Sequence, residues 1–240
     1  MDAAIGSLIA GASDERRSTP DRTHLRSVLQ SLMRRYVDDH PDSRYLQVHL
    51  QPRCIDDHVR TFCEYARHLP DQGDVLDWGC HHAPDSCLLK TVSPDRFRLH
   101  GCDFYEPRLF AGFHEYAGLD YRQLTDLIAT PYAASSFDAV IGSGVLEHVS
   151  MDYESLKELH RILKPGGRLI ITYLPNWLSW EEWVRRTIWK RDFHHRQYGL
   201  GEARQLLKRT GFLPIVASHA VPRRIFGSTL TLVAERVHAM

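Results

Sequence analysis

Asp77 and Asp103 are the residues of this chain best placed to do chemistry. Asp77 follows the apolar pair Val75-Leu76 and precedes Trp78-Gly79-Cys80; Asp103 closes Leu99-His100-Gly101-Cys102 and precedes Phe104. Each piece reads as a strand ending in an acid beside a glycine turn. In an open α/β sheet, ligands bind in the crevice beyond the carboxyl ends of the strands, where an acid can hold a ribose or an ammonium group. Two such acids in successive strand–helix units predict one nucleoside-like ligand bridging two strands, and therefore a cofactor site and an enzyme.

The elements that must position these acids follow from hydrophobic spacing. Val75–Trp78, Phe97–Cys102, residues 120–124, Phe137–Ile141 and Arg168–Tyr173 read as strands. Helices are predicted at Asp85–Lys90, around Leu109–Tyr116, and over 152–163, where Lys164-Pro165-Gly166-Gly167 supplies a stop. Strands alternating with helices imply a Rossmann-like, doubly wound, mostly parallel sheet. Ahead of it, Leu25, Val28, Leu29, Leu32 and Tyr36 recur on one face of a helix over 21–40. Ile55, Val59, Phe62, Tyr65 and Leu69 do the same over 52–69, with Pro70 as terminator. After it, Leu200–Thr210 reads as a helix ended by Gly211, and Phe212–Ala217 with Ser228–Ala234 as an antiparallel strand pair. The expected organisation is a flexible N-terminus (1–20), a helical cap (21–72) and an α/β domain (73–240) with a lid insertion at about 176–199.

Composition narrows the partners. Of 240 residues 43% are apolar and 25% charged, with a formal net charge of zero, which lacks the basic signature of a nucleic-acid binder. No stretch approaches the ~20 apolar residues of a membrane-spanning helix, so no stable membrane insertion is expected. Five scattered cysteines and a start without a basic leader point to a reducing cytoplasm.

Four ordered pieces, VLDWGC, LHGCDF, TDLIATPYAASSFDAVIGSGVLEHV and LHRILKPGGRLIITYLPN, resemble the class I S-adenosylmethionine-dependent methyltransferases, in the branch that modifies small molecules. The resemblance covers about residues 73–175 well and 176–213 more loosely; the third piece, from Asp126 through Glu147-His148-Val149, is the most specific. It implies a seven-stranded sheet and S-adenosylmethionine as cofactor. It places Asp77 and Gly79, with Cys80 and His81 in the same loop, at the methionine end. Asp103 would accept both ribose hydroxyls, Phe104 would lie against the adenine, and Asp126 with the Leu127 backbone would take the adenine amino group. Ser143, Gly144 and Val145 would line the reacting end.

One loop departs from the family pattern. Where the pattern has a second and third glycine, DWGCHHAPDS has His81 and Ala83, followed by Pro84 as a first-turn residue. Two readings compete: the His81 side chain turns aside and the cofactor still binds, or the site is occluded and the chain is a non-catalytic scaffold relative. A metal reading of Cys80-His81-His82 with Cys87 fails for want of the spaced ligand pairs of zinc sites.

The methyl donor is already activated, so alignment of nucleophile, methyl and sulfur is the main task. A hydroxyl acceptor also needs its proton removed. His148 is the candidate base, because it follows the fourth strand near the reacting end and ordinarily titrates near neutrality; a structural histidine opening the next helix is the competing reading. His194 and His195 are secondary candidates. Trp177–Arg191 holds four of the five tryptophans. It reads either as an apolar lid for a lipid-linked acceptor or as a packed lid or homodimer contact. The expected reaction is methyl transfer to a small molecule, at oxygen rather than nitrogen or carbon. A nicotinamide-dependent oxidoreductase is the rival, disfavoured because no GxGxxG turn is present.

Overall fold

The computed structural model describes residues 20–39, 43–177, 179, 196–219 and 229–237. Three helices come first: α1 (Arg22–Asp39), α2 (Arg44–His49) and α3 (Pro52–Tyr65). The sheet region follows as β1 (Gly73–Trp78), α4 (Pro84–Val92), β2 (Phe97–Asp103), α5 (Ala111–Ala117), β3 (Asp120–Gln123), β4 (Phe137–Ser143), α6 (Asp152–Ile162) and β5 (Leu163–Pro175). It closes with α7 (Leu200–Arg209), β6 (Phe212–His219) and β7 (Thr229–Arg236). Of the predicted lid at about 176–199, residues 178 and 180–195 lie outside the described residues, and with them Trp180, Trp183, Trp189, His194 and His195.

The seven strands run in the order β3-β2-β1-β4-β5-β7-β6. β1 pairs in parallel with β2 and β4, and β7 is antiparallel to both β5 and β6. The doubly wound expectation therefore holds, including the antiparallel C-terminal pair. The chain reverses at β1/β4, so the crevice beyond the ends of β1, β2 and β4 is the switch point where ligands bind in such sheets.

Alternation along each strand divides the core in two. Val75, Ala139, Ile141 and Ile170 pack on one face with Leu25, Leu29, Ile55, Val59, Phe62 and Leu88. Leu76, Trp78, Val140, Leu169 and Ile171 pack on the other with Leu156, Leu159, Ile162 and Leu207. Period two then puts Asp77 and Ser143 on the face covered by α1, α3 and α4.

Two local differences from the sequence reading have physical causes. β5 starts at Leu163 rather than Arg168, running through Lys164-Pro165-Gly166-Gly167 with Gly166 at φ 76°. α6 ends at Ile162, where Leu163 turns extended and pairs with Phe137 of β4 at once, so the glycines fall within the strand and not at the helix end. The short α2 is an added element. Its N-cap Ser43 side chain accepts the Leu46 N–H, and Leu46 anchors it in the core.

Candidate active site

A single cleft of about 810 Å³ opens at the carboxyl ends of β1, β2 and β4. Asp77, Gly79, Cys80, His81, Asp103, Phe104, Asp126, Leu127, Ser143, Gly144 and His148 all line it. Residues spread over more than seventy positions of sequence are thus brought to one wall.

Each acid has its own setting. Asp77 is buried and accepts the Ser86 hydroxyl at 2.7 Å. Burial, reinforced by the nearby Asp85 charge, pushes its pKa well above the carboxylate range. Asp103 accepts the backbone N–H of His81 at 2.8 Å and of Phe104 at 2.6 Å. Burial raises its pKa too, against the pull of those N–H groups. Asp126 is exposed; it caps its own loop by accepting Ile128 N–H and Ala129 N–H, both at 2.8 Å, and these lower its pKa. Phe104 and Leu127 present exposed apolar surface at the rim, and the His148 side chain is half exposed there, with Nε2 3.9 Å from Glu147 Oε1.

The loop after β1 keeps the backbone path of a glycine-rich turn. Gly79 has φ +65°, and a Cβ there would stand 2.6 Å from Val145 Cγ2. His81 and Ala83 take φ 49° and 48°, left-handed values at the two positions where the pattern carries glycine. The His81 ring is turned into an aromatic wall, 4.1 Å from Phe110, 4.5 Å from Tyr45 and 4.7 Å from Tyr105 between centroids. Ala83 leads into Pro84 at the first turn of α4. Buried acids at adjacent strand ends, with backbone approachable at Gly79, fit a nucleoside carrying an ammonium tail.

Residues 76–171 match the family model described as "Methyltransferase domain". Over this region, from β1 to β5, the chain is similar to the class I S-adenosylmethionine-dependent methyltransferases. It is 37% identical over 99 residues to a demethylmenaquinone methyltransferase of Staphylococcus epidermidis, covering 40% of this chain and 41% of that one. It is 39% identical over 105 residues to the Thermus thermophilus protein of the same name, covering 42% and 47%. The chain spans about half the length of the curated relatives it matches, or less. Among solved structures, 1,6-didemethyltoxoflavin-N1-methyltransferase of Burkholderia thailandensis superimposes with a TM-score of 0.60 over 91% of both chains at 20% identity, a likeness of fold.

The cleft also contains residues that sequence reading did not assign to the site. Leu29, Met33, Tyr45, His49, Ile55 and His58 enter it from α1–α3, and Asp85 and Tyr173 from α4 and β5. His58 Nε2 lies 3.4 Å from Asp85 Oδ1, an ion-pair distance rather than a well-formed hydrogen bond. On the other side of the ring, Nδ1 is 3.4 Å from the Tyr173 hydroxyl, and the two rings stack at 5.8 Å. Tyr65 donates its hydroxyl to Asp85 Oδ1. Among the described residues no cluster of three or more His, Cys, Asp or Glu could hold a metal, and no helix is long and apolar enough to cross a membrane.

Proposed function

We propose that this methyltransferase moves the methyl group of S-adenosylmethionine to a hydroxyl oxygen of a small aromatic or apolar acceptor. The observation that carries this reading is one continuous cleft with two unlike halves. The sheet side offers Asp77, Asp103 and Asp126. The helix side offers Leu29, Met33, Ile55 and Tyr45, with titratable His58 and Tyr173 between. The bound cofactor supplies an activated methyl group; the protein supplies alignment and a destination for the acceptor's proton.

In this reading Asp77 pairs with the α-ammonium, and Gly79, Cys80 and His81 border the methionine part. Asp103 takes the ribose hydroxyls, Phe104 and Leu127 flank the adenine, and Asp126 faces its amino group. Ser143 and Gly144 border the methyl, and His148 at the rim is a candidate base. Residues 21–72 act as the cap that shapes the acceptor half, and 73–240 form the catalytic domain. A second reading is methylation at carbon, supported by relatives of Desulfotalea psychrophila and Geotalea daltonii named as ubiquinone/menaquinone biosynthesis C-methyltransferases. It requires that the methylated carbon lose its own proton.

Calorimetric titration with S-adenosylhomocysteine tests the cofactor half, and failure to bind at millimolar ligand rejects it. Incubation with S-adenosylmethionine and a panel of phenols, catechols and hydroquinones tests the acceptor half. NMR of any methylated product separates oxygen from carbon.

A further inference from the structure

The cluster of Tyr173, His58 and Asp85 is built from three distant parts of the chain and from a distorted strand. Ile171 belongs to the core face beneath α6, and period two would send Tyr173 to that same face. It does not go there. The β5–β7 register shifts between Ile171 and Leu174, and Tyr173 takes φ 61°. Leu174 returns to the α6 face. One extra residue in the strand has therefore turned the Tyr173 ring across the sheet to meet His58 of α3. Bulges re-aim side chains in this way, and left-handed conformations at a non-glycine residue are strained, so they persist where surrounding contacts over-determine them.

The hydrogen-bonding roles follow from the chemistry of each group. A carboxylate accepts only, so the Asp85 charge, 3.4 Å from Nε2, favours the His58 proton on that nitrogen. That leaves the Nδ1 lone pair to accept the Tyr173 hydroxyl. Thr61 also hydrogen-bonds the Tyr173 hydroxyl, so the remaining lone pair of Tyr173 Oη is what this cluster offers the cleft.

We propose that Tyr173 is a catalytic residue that receives the acceptor's hydroxyl proton while passing its own to His58 Nδ1, with Asp85 as the positioning residue. This rests on the methyltransferase reading above and names its proton route and acceptor class: a hydroxylated aromatic, bound with its O–H on Tyr173. The balance closes. The acceptor oxygen forms its bond to the methyl carbon as the S–CH3 bond of the sulfonium breaks, leaving that electron pair on the thioether sulfur; the oxygen loses its proton to Tyr173, Tyr173 passes its own to His58, and His58 ends as imidazolium. One positive charge stands on the sulfonium before and one on the imidazolium after.

The electrostatics favour that end state. Burial alone would lower the His58 pKa, but the Asp85 carboxylate overrides it, with help from Asp77, and the pKa is raised. Other titratable groups facing the cluster are His49, His82 and Tyr65, with Asp57 and Arg60 near Tyr173. Burial holds the Tyr173 phenol well above its ordinary value, so it serves as a relay and not as a resting phenolate.

The test uses the full chain saturated with S-adenosylhomocysteine. In ¹⁵N histidine spectra, assigned with His58→Gln, the neutral His58 ring is expected as the Nε2–H tautomer, titrating above ordinary histidine, and Asp85→Asn should lower that pKa by a unit or more. An Nδ1–H tautomer, or no fall in Asp85→Asn, overturns the proposal. Tyr173→Phe and His58→Gln should hold S-adenosylhomocysteine within about threefold of wild type. A tenfold loss would mean that the cluster grips the cofactor and would also overturn it. With 4-nitrocatechol as probe, the bound chromophore should show its ionised spectrum at a lower pH on wild type than on Tyr173→Phe. Equal ionisation on both proteins refutes the relay, and absence of binding to wild type refutes the acceptor class. If wild type fails to bind S-adenosylhomocysteine, the cofactor reading falls by itself, while the histidine spectra of the free protein still decide the relay.

Discussion

Ser86 donates its hydroxyl to Asp77 at 2.7 Å and so ties the end of β1 to the first turn of α4. The bond is too little to make Asp77 comfortable. Burial and the charge of Asp85 leave its folded pKa raised, above the ~3.9 of an unfolded aspartate. A raised pKa contributes stability that is complete below the unfolded value and is lost as pH rises through the folded one. At and above neutral pH the free protein therefore carries a destabilising group. Asp77→Asn should raise the melting temperature of the free protein by at least ~2 °C near pH 8, the worth of ~1 kcal/mol in a chain this size. Near pH 4 the difference should shrink. The same change should weaken S-adenosylhomocysteine about 10- to 100-fold, the value of a charge-assisted bond. A variant that melts lower than wild type at pH 8 would refute the assignment of strain to this carboxylate.

The two acids should separate by ligand fragment. Asp103 holds its loop through His81 N–H and Phe104 N–H, on the side of the cleft assigned to the ribose. Adenosine alone should therefore bind Asp77→Asn as it binds wild type, and bind Asp103→Asn about tenfold less well, the worth of ~1.4 kcal/mol. Competition against a fluorescent adenosine analogue gives both numbers. Equal losses at both positions would contradict the head-to-tail placement.

The sheet and its acids were legible because each depends on a short local pattern. Val75-Leu76-Asp77 and Leu99 through Asp103 show an apolar strand meeting an acid within a few residues, and the strands fall where that pattern puts them. The helix-side wall was not legible. His58, Asp85 and Tyr173 are far apart in sequence and meet through tertiary packing alone. The bulge that turns Tyr173 is a register shift against β7, which alternation within β5 does not encode. Tyr45 and His49 sit on the six-residue α2, too short to display a helical period. The backbone of the loop after β1 was hidden for another reason. His81 and Ala83 occupy left-handed conformations that their side chains disfavour, so the sequence left both an open and an occluded site in view where the fold keeps the turn and bears the strain.

Acid should find the imidazole wall first. Burial, with neighbouring histidines adding to it, lowers the pKa of both His49 and His81 to about 4. A depressed pKa contributes stability that is present above the unfolded value, ~6.5, and is lost as pH falls toward the folded one. The melting temperature should be nearly level above pH ~6.5 as far as these rings are concerned, and decline between there and about 4. His81→Asn should make that decline shallower, because asparagine tolerates the left-handed backbone and takes up no proton. Thermal melts of both proteins across this range check it; parallel curves would show that His81 is not among the groups that titrate.

Gly79 offers a test of the loop that separates backbone from side chain. Gly79→Ala puts a Cβ at φ +65°, costing about 1–2 kcal/mol by conformation. It also drives that Cβ to 2.6 Å from Val145 Cγ2 and 2.8 Å from Cγ1. The conformational part alone should lower the melting temperature by about 2–8 °C. The steric part should disappear when Val145 is trimmed. Measured in a Val145→Ala background, the cost of Gly79→Ala should thus fall but stay above zero, since the left-handed penalty persists. Because Val145 and Gly79 both border the cleft, S-adenosylhomocysteine affinity should drop in Gly79→Ala and recover in part in the double variant. An undiminished cost in the trimmed background would mean that the loop relaxes away from Val145, and that the close approach of these two residues does not set its path.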